Sequence, residues 1–198
     1  MTAPRYPVIL RQLQPRTRFE AAGRADQLAA ALGTAGLPVP ARHNSSSGSE
    51  TEVRVDWLGP RRFVVSAPLD QETALAGALQ AAFAGCAAAD VACSTDMVVT
   101  FELCGAGACD VLAQGTPLDT SGAAFAAGSV TATDLWGVAA IVERPAAAPD
   151  SLRLTVDRSL SGYVEGWLMS AAGLAADCRP GVMLCAPPST APSRLGQP

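Results

Sequence analysis

The chain contains no lysine, so all fourteen of its Lys or Arg side chains are arginines. A P-loop is thereby excluded, because its final Gly-Lys-Ser/Thr sets a lysine on the phosphates. Histidine occurs once, as His43. Six cysteines are present (Cys86, Cys93, Cys104, Cys109, Cys178 and Cys185), and none belongs to a Cys-x-x-Cys pair. Structural zinc sites use closely spaced Cys/His pairs, so no metal site is expected. The thiols are expected to be reduced and mostly buried, behaving as small hydrophobes. A Cys104–Cys109 disulfide is not favoured in a reducing compartment.

Charge is sparse, with 16% charged residues and a net charge of −4. Without a basic face, nucleic acid is not an expected partner. There is no uninterrupted apolar run of about 18 residues, the length that crosses a bilayer. The best candidate, Leu160 to Ala176, is broken by Glu165 and by glycines. No membrane association is therefore expected. Arg5, Arg11, Arg16 and Arg18 are not followed by the apolar segment of a signal peptide. A cytoplasmic location is the resulting expectation. Aromatics make up only 5% of the chain, so each is expected at a defined packing site.

Hydrophobic residues make up 49% of the 198 residues, enough for a substantial core, although much of this is alanine. The most informative stretch is Val53 to Val65. Val53, Val55 and Trp57 alternate with Arg54 and Asp56; Gly59-Pro60 breaks the run; Phe63 and Val65 resume it. This predicts a hairpin with one buried face. Residues 8–20 read as extended, interrupted at Pro15, which suits an edge strand. Residues 23–32 predict a short helix capped by Gly33. Residues 37–50 read as a mobile loop ending in Asn44-Ser45-Ser46-Ser47-Gly48.

Asp70 is placed to cap a helix over 71–86 with Leu75, Leu79, Ala82 and Phe83 inward. A strand over 97–103 and a short helix over 105–114 follow. Strands over 129–136 and 138–144 turn at Gly137, and 151–157 is a third strand. In the last helix Leu160, Tyr163, Val164, Trp167, Leu168 and Ala171 repeat at helical spacing. These elements predict an α+β fold, a ferredoxin-like mixed sheet with helices packed on one side, in two interlocked half-units. Residues 1–178 are expected to form one domain with halves at 7–103 and 104–178. The Pro-rich tail 179–198 is expected to be flexible.

Few residues invite a chemical role. Asp119 follows Pro117-Leu118 and reads as a turn carboxylate; a catalytic base would need burial or a charged neighbour. Asp96 reads as a polar residue at a strand start, and His43 as a solvated loop residue. Gly105-Ala106-Gly107-Ala108 lacks the third glycine of a dinucleotide fingerprint and reads as a helix start. Cys104 and Cys109 have no histidine nearby in sequence. No catalytic, cofactor-binding or metal residue is therefore assigned. Trp57, Trp136, Tyr163 and Trp167 are the candidates for an interface, because large aromatics anchor interfaces.

Four phrases carry a family resemblance. They are Leu37-Pro38 with Pro40; Trp57-Leu58-Gly59-Pro60 with Phe63-Val64-Val65; Leu103-Cys104-Gly105 with Val111-Leu112-Ala113, Gly115, Pro117-Leu118-Asp119, Phe125 and Gly128; and Val156-Asp157-Arg158-Ser159 with Tyr163 and Trp167-Leu168. In this order and spacing the chain resembles the gamma subunit of heterotetrameric sarcosine oxidases. The resemblance implies a fold similar to part of the glycine-cleavage T-protein. It also implies a non-catalytic subunit in a complex that oxidises an N-methyl or other secondary amine. In such a complex a large alpha subunit binds FAD, beta and delta subunits complete the assembly, and FMN, NAD, zinc and tetrahydrofolate are held elsewhere than on this chain. The gamma chain would pack against the folate-binding part of the large subunit. Where T-protein-like families place Asp-Val-Ser before the central strand, this chain has Cys93-Ser94-Thr95-Asp96, with Cys93 at the usual Asp position. That weakens a self-standing folate-dependent aminomethyltransferase reading; a small-ligand-binding ferredoxin-like module is the other alternative.

Overall fold

The computed structural model describes residues 6–173, so the expectation for the tail 179–198 lies outside the described residues. In chain order, β1 (Ile9–Gln12) and β2 (Thr17–Gly23) flank Pro15. They are followed by α1 (Ala25–Thr34), β3 (Ser45–Gly48), β4 (Arg54–Gly59), β5 (Arg62–Ala67), α2 (Glu72–Phe83) and β6 (Ala89–Cys93). Then come β7 (Val98–Cys104), α3 (Ala108–Leu112), β8 (Val130–Leu135), β9 (Val138–Glu143), β10 (Ser151–Asp157) and α4 (Ser161–Ala172).

The strands form two five-stranded sheets, ordered β3-β4-β5-β2-β6 and β1-β7-β10-β9-β8. Each strand pairing is antiparallel, so the expected mixed sheet takes the form of two antiparallel ones. The α+β class holds. In the first sheet, β2-α1-β4-β5-α2-β6 is a ferredoxin-like βαββαβ unit with β3 added beyond β4. The second sheet repeats that order: β7, β9 and β10 take the first three places, and β8 is added beyond β9. Its fourth strand is β1, from the other end of the chain. The half-units are therefore interlocked, with β1 and β7 both in the second sheet.

Each sheet is covered by helices on one face, because its apolar residues alternate onto that face. Phe19, Val55, Phe63 and Val65 pack against Leu28 and Leu32 of α1 and Leu75 and Leu79 of α2. Phe101, Leu103, Leu152 and Leu154 pack against Val111 and Leu112 of α3 and Val164 and Leu168 of α4. The opposite faces meet each other. Leu58 and Val64 touch Val130 and Ile141 there, and charged residues fill the rest. The molecule is thus four layers deep, helix–sheet–sheet–helix.

This layering corrects the reading of the hairpin. Arg54 and Asp56 are each only 8% exposed, as buried as the apolar face, because the second sheet covers them. Residues 37–50 are not only loop: Ser45–Gly48 pair with β4 as an edge strand. The edge-strand reading of residues 8–20 fits β1, but β2 beyond Pro15 is an interior strand. Gly33 lies inside α1, and it is Gly36, at φ 71°, that turns left-handed just after the helix. Asp70 sits in a helical turn before α2, whose N-terminal neighbour Gln71 makes no capping bond. β6 went unread because Ala89-Asp90-Val91-Ala92-Cys93 has little β propensity.

Candidate functional site: an aromatic face and a charged seam

α4 turns only part of its apolar stripe inward. Val164 and Leu168 are fully buried, whereas Leu160, Tyr163 and Trp167 are 38%, 48% and 44% exposed. The stripe is wider than the sheet beneath it, so its flank is left in solvent. Asp157 caps the helical turn 158–160 that leads into α4, accepting from the Ser159 N–H at 2.8 Å, and Gly173 closes α4 at φ 71°. Beside the exposed flank stands the β8–β9 hairpin. Its turn residues Trp136 and Gly137 have φ values of 49° and 79°, the positive pair of a type I′ turn. A left-handed tryptophan is unusual. It is held there because its N–H donates to the Gly115 carbonyl at 2.7 Å and its ring lies flat on Gly115. A Cβ at Gly115 would meet that ring at 2.2 Å, so only glycine fits.

The Trp136 and Trp167 rings stack at 6.0 Å and 13°. Tyr163 meets Trp167 edge-on at 6.3 Å, and its hydroxyl donates to the Trp136 carbonyl at 3.0 Å. Three of the four aromatics singled out from sequence are therefore one preorganised surface cluster. Trp57 is not part of it. That ring stacks on Phe63 at 5.0 Å, takes His43 edge-on at 6.1 Å, and packs against the core of the first sheet. Sequence reading missed Met97, which is 60% exposed. It sits in a helical turn whose Asp96 carbonyl accepts from Arg158.

Between the sheets runs a seam of ion pairs. Arg54 donates to Asp56 at 2.8 Å, to the Ser46 hydroxyl at 2.9 Å, and to Glu143 from the facing sheet. Arg153 holds Glu50 at 2.8 Å and Glu102 at 3.1 Å, and Arg11 takes the other oxygen of Glu102 at 2.9 Å. Burial opposes the charge of Arg54, but Asp56 and Glu143 outweigh it and hold the guanidinium firmly protonated. Burial pushes the Glu143 carboxyl above the ordinary carboxylate range. Alternating Arg/Asp and Arg/Glu on separate strands was the visible signal of this seam. A single strand's alternation does not say whether its polar side meets water or another sheet.

The remaining candidates behave as structural residues. Asp119 accepts from the Ser121 N–H at 2.9 Å, which holds its carboxyl below the ordinary range. That is an Asx turn, and the opposite of a base poised to take a proton. At the Cys93-Ser94-Thr95-Asp96 segment, Cys93 is exposed, contrary to the expectation for the thiols, because β6 is an edge strand. Thr95 is buried and donates to Glu72 at 2.6 Å. Cys104 and Cys109 are free thiols. The glycines of Gly105-Ala106-Gly107-Ala108 make room for the chain itself. A Cβ would lie 2.4 Å from the Pro7 carbonyl at Gly105 and 2.7 Å from Tyr6 at Gly107.

A family model described as sarcosine oxidase, gamma subunit family, matches residues 18–174. The chain belongs to the sarcosine oxidase gamma subunit family. The motif resemblance read from residues 37–170 is therefore correct. Among solved structures, this gamma-family chain is similar to a chain of heterotetrameric sarcosine oxidase from Corynebacterium sp. U-96 in complex with pyrrole 2-carboxylate. That match has a TM-score of 0.72, 25% identity and coverage of 83% of each chain. It also shares its fold with the glycine cleavage system aminomethyltransferase T from Bartonella henselae, at a TM-score of 0.62 and 17% identity. That match takes in 85% of this chain but only 47% of the transferase. A search of curated proteins finds no match.

Proposed function

We propose that this chain is the non-catalytic gamma subunit of a heterotetrameric, sarcosine oxidase-type complex, and that it docks through the Trp136–Tyr163–Trp167 face. The observation that carries the reading is the family match over residues 18–174, with its structural counterpart in a heterotetrameric sarcosine oxidase. The aromatic face supplies the physical means. Stacked aromatics, already locked by Tyr163 to Trp136, lose little side-chain freedom on binding, which favours their use as anchors. The partner is the large alpha subunit at its folate-binding part, with beta and delta subunits completing the assembly. The substrate is an N-methyl or other secondary amine, and flavin chemistry is carried by the other chains. FAD, FMN, NAD, zinc and tetrahydrofolate are likewise theirs. On this chain the Gly105–Ala108 turn packs against Pro7 and Tyr6 and lacks the third glycine of a dinucleotide fingerprint. An aminomethyltransferase reading has less support, since the chain spans under half of that enzyme.

Co-expression with an affinity-tagged large subunit tests the reading. The wild-type chain should co-purify in stoichiometric amount. Trp167→Glu should reduce capture at least about thirtyfold, as expected for a hot-spot aromatic costing 2 kcal/mol or more. Capture of neither form rejects the subunit assignment; equal capture of both rejects the aromatic face as its anchor.

A further inference from the structure

Beside the seam, the two sheets enclose a cavity of about 310 Å³. Its charged wall is unbalanced: guanidinium groups of Arg16, Arg18, Arg54, Arg153 and Arg158 line it against the carboxylates of Glu50, Asp56 and Glu143. Arg54 and Arg153 are consumed by ion pairs. Arg16 and Arg158 form no salt bridge among the described residues. Arg16 donates to the Glu50 and Glu52 carbonyls, and Arg158 to those of Asp96 and Val98. Arg18 is only 8% exposed, and its Nε, sealed from solvent, has no hydrogen-bond partner. Its one ion pair is a 3.3 Å contact from a terminal nitrogen to Glu20, a carboxylate it shares with Arg62. Burial, then repulsion from Arg54, disfavours the charge on Arg16; burial does the same for Arg18. Buried cations without matching anions are costly, and an unpaired buried N–H adds to that cost.

We infer that this inter-sheet cavity is a binding site for a small organic carboxylate anion, received by Arg16, with Arg18 adding positive charge to the wall. A planar carboxylate matches the guanidinium fork. The rest of the wall decides between an organic and an inorganic anion. Leu13, Pro15 and Val98 give one side an apolar lining that a carbon skeleton can use and phosphate cannot. The volume is at the small end of ligand pockets, which limits the guest to a short acid. Thr100 and Thr155, hydrogen-bonded to each other at 2.9 Å across β7 and β10, offer hydroxyls at the far wall. The site belongs to this chain alone and does not depend on the docking proposal.

Isothermal calorimetry with sodium succinate as the probe tests it, on the full chain or on the complex it co-purifies with. Sodium chloride and sodium phosphate at matched ionic strength are the controls. The wild type should give saturable, one-to-one binding of succinate and none of the two controls. Arg16→Gln should weaken succinate about tenfold, the loss expected for one charge-assisted hydrogen bond. Circular dichroism checks that Arg16→Gln, which gives up the bonds to the Glu50 and Glu52 carbonyls, still folds. Arg18→Met, where it folds, should do the same. No saturable heat, equal binding of chloride or phosphate, or an Arg16→Gln variant with wild-type affinity overturns the proposal.

Discussion

Arg54 shows how one residue ties the layers together. It opens β4, is 8% exposed, and reaches Asp56 on its own strand and Glu143 on the facing sheet. Its worth is best seen by removing one side of the pair. Arg54→Met keeps the stem's apolar contact but leaves two carboxylates buried among fewer cations. Breaking a buried pair in this way costs about 3–5 kcal/mol. The urea midpoint should fall accordingly with the slope unchanged. Arg54→Lys should recover only part of the loss, because one ammonium cannot bond Asp56, Ser46 and Glu143 in the geometry of a fork. An unfolding free energy within about 0.5 kcal/mol of wild type for Arg54→Met, the range of an ordinary surface change, would show that the seam is solvated.

Among the elements, β1 was readable as an edge strand, but its own residues do not say that the edge is that of the second sheet. It is four residues long, pairs with β7 through Leu10 opposite Leu103, and holds the edge of the second sheet. Removing residues 1–13 should expose the β7 edge and uncover the pocket filled by Val8 and Leu10. The expected result is aggregation or loss of the folded chain. Light scattering and a thermal melt of the truncated chain check this. The β4–β5 hairpin, β7 to β10 and α4 were legible because period-2 and period-3.6 patterns are local. The division into two sheets was not, because nothing local in Leu10 or Arg54 says which sheet lies opposite. The candidate site divides the same way. Tyr163 and Trp167 were readable from helix spacing, and Trp136 from the Trp-Gly turn. That these three meet while Trp57 joins the other core depends on how α4 lies beside the β8–β9 turn.

On the scale of the whole molecule, the two ferredoxin-like units share too much to act independently. β1 leaves the first unit's chain segment to complete the second sheet. The outer strands β3 and β8 touch through a Ser45–Ser129 bridge, and the Val130 N–H donates to the Asn44 carbonyl at 3.2 Å. Between these contacts lie the buried seam and the Leu58–Val64–Val130–Ile141 cluster. Unfolding one unit alone would strand Glu143 or Arg54 without its partner and strip β7 of an edge strand. Each of these losses is a sizeable fraction of the 5–15 kcal/mol typical of a domain. Half-unfolded states should therefore be scarcely populated. Calorimetry of the full chain should show a single transition whose van't Hoff and calorimetric enthalpies agree. Arg54→Met should lower that transition without splitting it, since β1 and the β3–β8 edge still couple the sheets. Two resolved transitions in the wild type would mean that the sheets melt separately. The aromatic face, carried only by the second sheet and its helix α4, would then survive loss of the first unit, and a fragment lacking residues 17–93 would still bind the large subunit.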